Sequence, residues 1–164
     1  MFAHLLVALD GSEVAEWVLP QVEALAERFG SAVTLLRATT PLTVILAETA
    51  GAAPVAGPVV DPTPLVEAER REAADYLARV AERLRRRGID VHTEQPEGAA
   101  DEVLVRRAGE LGADLIAMTT HGRGGLGRLF YGSVAEAVLR QAPCPVQLVR
   151  VSEPAAVAGP PSLA

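Results

Sequence analysis

Four short apolar runs and one polar-alternating segment are interleaved with helical stripes along this chain, and that order alone predicts a fold class. Leu5 to Leu9 is uninterrupted apolar sequence ending at Asp10-Gly11-Ser12. A run without polar alternation suits a strand covered on both faces, as in a parallel sheet. Ser12 is a good helix N-cap, and Glu13 and Glu16 place negative charge in the turn that follows. Val14, Val18, Val22, Leu25 and Phe29 then recur as one helical stripe, closed by Gly30. Pro20 falls inside that stripe, where a proline costs ~3 kcal/mol, so a kink or a frayed first half is expected.

Ala32 to Ala38 is the second apolar run. Thr39 to Thr63 differs in kind, rich in Pro, Gly, Ala and Val and almost without charge. A structureless loop of that length is out of place inside a compact domain. It reads as a mobile excursion, with a short helical turn around Val44 to Glu48, serving as a partner-contact flap or as a lid. A long amphipathic helix is expected over Pro64 to Arg87, burying Ala73, Leu77, Val80 and Leu84. Its acids (Glu67, Glu69, Glu72, Asp75) come early and its arginines (Arg83, Arg85, Arg86, Arg87) late, as the helix dipole favours, and Gly88 ends it. The Arg85 to Arg87 run reads as a solvated last turn rather than a nucleic-acid patch.

Ile89 to Gln95 alternates in the manner of an exposed edge strand. Asp101 to Leu111 is a short helix with Leu104, Ala108 and Leu111 inward, and Asp114 to Met118 is a fourth, buried strand. Thr119 to Tyr131 is glycine-rich. A helix from Ser133 to Gln141 stops before Pro143, and Val146 to Arg150 makes the fifth strand. Residues 151–164 read as a disordered Pro/Ala tail. Every strand but the last is followed by a helix, which calls for an α/β, single-domain, doubly wound parallel sheet with helices on both faces. In such sheets ligands bind at the carboxyl ends of the strands, where the strand order reverses.

Composition narrows the function classes. The 164 residues suffice for one domain with its own core. Acids outnumber bases 21 to 15, the net charge is -6, and every base is arginine. That balance argues against a general nucleic-acid binder, and 4% aromatic content leaves little for base stacking. No apolar run approaches the ~20 residues of a membrane span. The start, Met1-Phe2-Ala3-His4, lacks a basic n-region, so no secretory signal is expected. A single cysteine, Cys144, excludes an internal disulfide and suits a reducing compartment, so a cytoplasmic location is expected.

The chemistry concentrates at two strand ends. One is Asp10-Gly11-Ser12. The other is the window from Met118 to Val134, with five glycines, two arginines (Arg123, Arg128), one histidine and no acid. Glycines let successive N–H groups turn toward one centre, a nest for an anion. The helix starting at Ser133 points its N–H groups and positive dipole at the same place, so phosphate binding by backbone is expected. Gly122 to Gly127 satisfies G-x-G-x-x-G, but the helical stripe begins later and no acid suits a ribose at the next strand end. A Walker loop is excluded because the chain has no lysine. No His/Cys/Asp/Glu spacing suggests a protein-borne metal site. Asp10 reads as a ligand contact or as turn chemistry, and His121 as a general base or a loop brace. Thr120 reads as structural, Cys144 as a packed small residue, and Trp17 and Tyr76 as packing.

The opening Leu5-Leu6-Val7-Ala8-Leu9-Asp10-Gly11-Ser12-Glu13, Met118 to Val134, and Ala142-Pro143-Cys144-Pro145-Val146 together resemble the universal stress protein family. The likeness covers about residues 3–150. Gly122, nine residues, then Gly132-Ser133 fit the G-x(2)-G-x(9)-G-[ST] motif of its nucleotide-binding members, while the motif's first glycine falls at Thr119. The resemblance implies a sheet of order 3-2-1-4-5 with ATP between strands 1 and 4. It implies a nucleotide-binding set of Ala8, Leu9, Asp10, Ala38, Met118, Thr119, His121, Gly122, Arg123, Gly132, Ser133 and Val134. Asp10 would sit by ribose and adenine, Ala38 would offer backbone to adenine, Gly122 and Arg123 would line the phosphates, and Gly132, Ser133 and Val134 would cap them. Mg2+ or Mn2+ would be held mainly by phosphate oxygens. A homodimer through strand 5 (Val146 to Val149) is implied, and a regulatory role toward a protein partner. The other readings are a slow ATP hydrolase on the same fold and a dimeric interaction protein that binds no nucleotide.

Overall fold

The structure, a computed structural model, describes residues 2–41, 61–120 and 132–150. Five strands, β1 (His4–Ala8), β2 (Ala32–Leu36), β3 (Val91–Glu94), β4 (Leu115–Thr119) and β5 (Val146–Val149), form one sheet in the order β3-β2-β1-β4-β5. Every pairing is parallel. The helices are α1 (Leu19–Phe29), α2 (Thr63–Arg85), α3 (Ala100–Leu111) and α4 (Ser133–Gln141). The expected doubly wound α/β sheet is the one observed.

The unbroken apolar run of β1 follows from its place at the centre of the sheet. Leu5 and Val7 enter one core cluster with Val22 of α1 and Leu77 and Leu84 of α2, while Leu6 enters a second with Leu104 of α3 and Val138 of α4. Alternate residues thus meet different helical layers, and both must be apolar. The predicted stripe of α2 is buried as expected, with Tyr76 and Ala81 added to it. Fully burying one such leucine stabilises the fold by about 1.5–3 kcal/mol.

Two expectations about α1 are adjusted. Pro20 lies in its first turn, and the chain before it, Ala15–Val18, winds as a 3₁₀ turn. The α-helix thus starts only at Leu19, the first half of the stripe being 3₁₀, and the missing proline N–H has no intrahelical partner there in any case. Phe29 leaves the core: it is 49% exposed and stacks obliquely on Phe2, ring centroids 5.3 Å apart. Its place in the stripe is taken by Leu19 and Ala26. Trp17, on the 3₁₀ turn, is 44% exposed rather than packed.

The amino end of the sheet is stitched by Asp114, whose Oδ2 accepts from the backbone N–H of Ala3 (2.6 Å) and His4 (3.0 Å). These two donors hold its carboxyl below the usual aspartate range. Thr39 is buried and bridged to Glu97, and Thr63 opens α2, so both ends of the expected excursion belong to regular structure. Residues 42–60, with the helical turn expected at 44–48, and residues 151–164 lie outside the described residues.

Candidate site at the carboxyl ends of β1 and β4

Strand order reverses at β1, whose neighbours are β2 on one side and β4 on the other. Ala8 faces Leu36 of β2, and Val7 faces Ala117 of β4. Continuing that register sets Asp10 beside Ala38 on one side and Thr120 on the other. A crevice opening here is what the topology requires of this sheet type.

The turn after β1 is built from short-range hydrogen bonds. Asp10 Oδ1 accepts from the Ser12 backbone N–H (2.9 Å) and from the Ser12 hydroxyl (2.6 Å). Ser12 Oγ in turn accepts from the Ala15 N–H (3.1 Å), where the 3₁₀ turn begins. Gly11 sits at φ +86°, a conformation that costs a side-chain-bearing residue energy. Turn chemistry is thus present at Asp10, where β1 has ended between β2 and β4.

Across the switch point, β4 ends in buried Met118 and Thr119. Thr119, at the position of the motif's first glycine, follows the alternation of β4 onto the face of Ala117, toward α1 and α2. Thr120 is buried and donates its N–H to the Val149 carbonyl (3.0 Å), the structural role expected of it. The chain returns at Gly132, which donates its own N–H to the Thr120 carbonyl (2.9 Å) and serves as N-cap of α4. A Cβ on Gly132 would stand 3.3 Å from that carbonyl oxygen, tighter than ordinary contact. Glu136 N–H closes the first helical turn on the Gly132 carbonyl (3.0 Å). The N–H groups ahead of it have no intrahelical acceptor by helix geometry and point outward with the positive end of the dipole. Ser133 is exposed beside them and Val134 half-buried.

Ala8, Leu9, Asp10, Ala38, Met118, Thr119, Gly132, Ser133 and Val134 are therefore gathered at one sheet edge. His121, Gly122, Arg123 and Arg128 lie outside the described residues. Among the described residues no three His, Cys, Asp or Glu side chains converge on a metal-sized site. Cys144 packs against the second core cluster, and burial pushes its thiol up, away from reactivity.

Sequence reasoning missed one residue of this edge. Arg37, one position past the end of β2, is only 3% exposed. Its Nη2 donates to Glu72 of α2 (2.7 Å), and its guanidinium lies 5.7 Å from the centre of the Tyr76 ring. Burial, then the negative charges of Glu16 and Asp10, hold the Tyr76 hydroxyl protonated far above neutral pH. The signal was legible: a charge two positions beyond Leu35, on a strand covered on both faces, must be buried with a partner.

Comparison with known proteins agrees with this architecture. The model of the Universal stress protein family matches residues 1–150. A universal stress protein of Methanocaldococcus jannaschii is 41% identical over 86 residues, 52% of this chain and 49% of that protein, so this chain spans about half of that relative. A putative universal stress protein of Staphylococcus haemolyticus is 30% identical over 154 residues, 93% of this chain and 87% of that one. The solved structure of hypothetical protein MJ0577 superposes with a TM-score of 0.80 at 25% identity, covering 94% of this chain and 99% of its own. Two solved structures share the fold at lower identity. One is a universal stress protein in complex with cAMP (22% identity, TM-score 0.63, 92% and 98% coverage), the other an Archaeoglobus fulgidus universal stress protein in complex with dAMP (20%, 0.61, 90% and 98%).

Proposed function

The chain belongs to the universal stress protein family, and on that premise we propose that it binds an adenine nucleotide, ATP foremost, at the carboxyl ends of β1 and β4 and acts as a nucleotide-dependent regulatory module. The observation that carries this reading is the closure of the β4–α4 connection. Gly132 brings the start of α4 onto the Thr120 carbonyl, beside the turn held by Asp10. An acidic protein thereby offers an anion a set of backbone donors and a helix terminus. In this reading Asp10 and the backbone of Ala38 take the ribose and base, with Ala8, Leu9, Met118 and Thr119 forming the floor. Gly132, Ser133 and Val134 receive phosphate oxygens, joined by His121, Gly122 and Arg123. Mg2+ or Mn2+ travels on the phosphates. The cAMP and dAMP complexes of the two fold neighbours support an adenine nucleotide as the ligand class.

The test is direct. Purified protein is denatured and the supernatant examined for adenine nucleotide by mass, and thermal melts are recorded with and without ATP and Mg2+. Co-purified nucleotide or a rise in melting temperature is expected; neither would overturn the reading.

The second element of the proposal is a homodimer through β5. That strand is the outer edge of the sheet beside β4, and Val146–Val149 are half-buried rather than covered. An apolar strand with an unpaired edge is a template for a second copy. Sedimentation should show a dimer that Leu148→Asp converts to monomer. Among the described residues no helix is long and apolar enough to cross a membrane.

A further inference from the structure

Among the described residues Arg37 is the only charged side chain that is fully buried, and the nucleotide reading gives it no role. Its Nη2 is spent on Glu72 and its planar face on the Tyr76 ring. Its Nη1 is equally buried and has no hydrogen-bond partner among the described residues. A buried donor left unmade is costly, and a guanidinium donor more so than a neutral one. Thr39, two positions on along the same face, has a buried and unpartnered Oγ1. The Tyr76 hydroxyl, turned toward Glu16, makes no hydrogen bond of standard geometry. Two unspent polar groups, on Arg37 and Thr39, thus stand just past the carboxyl end of β2.

Their position is fixed by the sheet. The Leu9 N–H bonds the Leu36 carbonyl (2.9 Å) and the Arg37 N–H bonds the Glu94 carbonyl (3.0 Å), so Arg37 stands on the sheet edge directly before Ala38. Asp10 is close enough for its charge to raise the Tyr76 hydroxyl. The cluster therefore borders the end of the crevice assigned to the base, not the phosphate end. Charge bookkeeping narrows the occupant: Glu72 already balances the guanidinium, so what Nη1 lacks is an acceptor, and a neutral one suffices.

We propose that Arg37 is a base-reading residue, its Nη1 donating to an acceptor atom on the edge of the bound purine, with the Thr39 hydroxyl beside it. This rests on the nucleotide reading above and adds to it the contact that selects the base. The acceptor is a ring nitrogen in adenine. Arginine is suited to this, because its fork keeps a second donor available while the first is held by a carboxylate.

The experiment is a cycle between protein and ligand atoms. ATP and its 1-deaza, 3-deaza and 7-deaza analogues, each lacking one ring acceptor, are titrated with Mg2+ into the full chain by calorimetry. The expected result is that one analogue binds the wild type about tenfold more weakly than ATP, as loss of a charge-assisted hydrogen bond implies, and that Arg37→Met binds that analogue and ATP alike. Should Arg37→Met fold poorly, Arg37→Gln carries the same comparison and should show a reduced discrimination. Equal binding of all four ligands by the wild type, or discrimination that survives removal of the guanidinium, would overturn the assignment. A uniform loss across all ligands in Arg37→Met would mark a structural residue and overturn it as well. Failure of ATP itself to bind the wild type would bring down the nucleotide reading and this one together, whereas ATP binding without Arg37-dependent discrimination removes only this one.

Discussion

The Gly132 amide donates to the Thr120 carbonyl across 2.9 Å, and it does so at a spot where a Cβ would meet the same oxygen at 3.3 Å. The start of α4 is thus pressed against the end of β4, with a backbone conformation (φ −54°) that any residue can adopt. What a side chain would disturb is the approach, not the torsion. Gly132→Ala should fold with a melting temperature within a few degrees of wild type. Gly132→Val, branched at that Cβ, should push the two backbones apart and abolish the thermal shift produced by ATP and Mg2+. A Gly132→Val protein that keeps the full shift would show that α4 does not need this closeness to serve a ligand.

Pro20 offers a prediction whose sign separates two pictures of α1. In a helix interior its replacement would relieve ~3 kcal/mol of strain and stabilise the protein. In the first turn, where it stands, proline loses no hydrogen bond and restricts the unfolded chain. Pro20→Ala should therefore lower stability by about 0.4–1 kcal/mol, read as a small drop in the urea midpoint with unchanged slope.

The fold was largely legible because each layer writes its own period into the sequence. Leu5 to Leu9 is apolar at every position because β1 is covered twice, and Ile89 to Gln95 alternates because β3 is an edge. Ala73, Leu77, Val80 and Leu84 mark the buried face of α2, which Val66, Tyr76 and Ala81 extend. Element identity held where burial dictated composition. It slipped where a local rule met a tertiary one. Phe29 kept the helical spacing but is half-exposed, its ring against that of Phe2. Arg37 hid inside an apolar run because its partner, Glu72, is 35 positions away and on another element. At the candidate site, the turn at Asp10 and the helix start at Ser133 followed from turn and cap chemistry, and Gly132 from the likeness to the family motif. Nothing in local pattern could supply the contact between Arg37 and Tyr76, which depends on how α2 lies over β2.

That contact also makes a stability prediction. Glu72 is about half-exposed while Arg37 is buried, so the two ends of the pair are not equivalent. Glu72→Ala removes the carboxylate that the buried guanidinium donates to and should destabilise by about 1.5–3 kcal/mol, the range for a hydrogen bond to a charged group. Removing both charges, in Arg37→Met with Glu72→Ala, should restore part of that loss, since an apolar side chain has no desolvation penalty to offset. Chemical denaturation of the two variants tests the order. A double variant less stable than Glu72→Ala alone would show that the guanidinium stabilises through the Tyr76 ring more than it costs through burial.

Asp114 sets part of the acid response. Its folded-state carboxyl is held below the ordinary 3.8, first by the His4 N–H and then by the Ala3 N–H. The unfolded chain therefore takes up a proton at a pH where the folded one still resists it, and stability rises with pH across that interval. The contribution is fully present above pH 3.8 and is lost as pH falls through the lower, folded value. Asp114→Asn cannot titrate and keeps one acceptor for those N–H groups, but not a charged one. Its urea midpoint should lie below wild type at pH 7, and the gap should close on acidification below the usual aspartate range. A gap that stays constant from pH 7 into that acid range would mean that the two backbone donors do not favour the charged form, and that Asp114 acts there through shape alone.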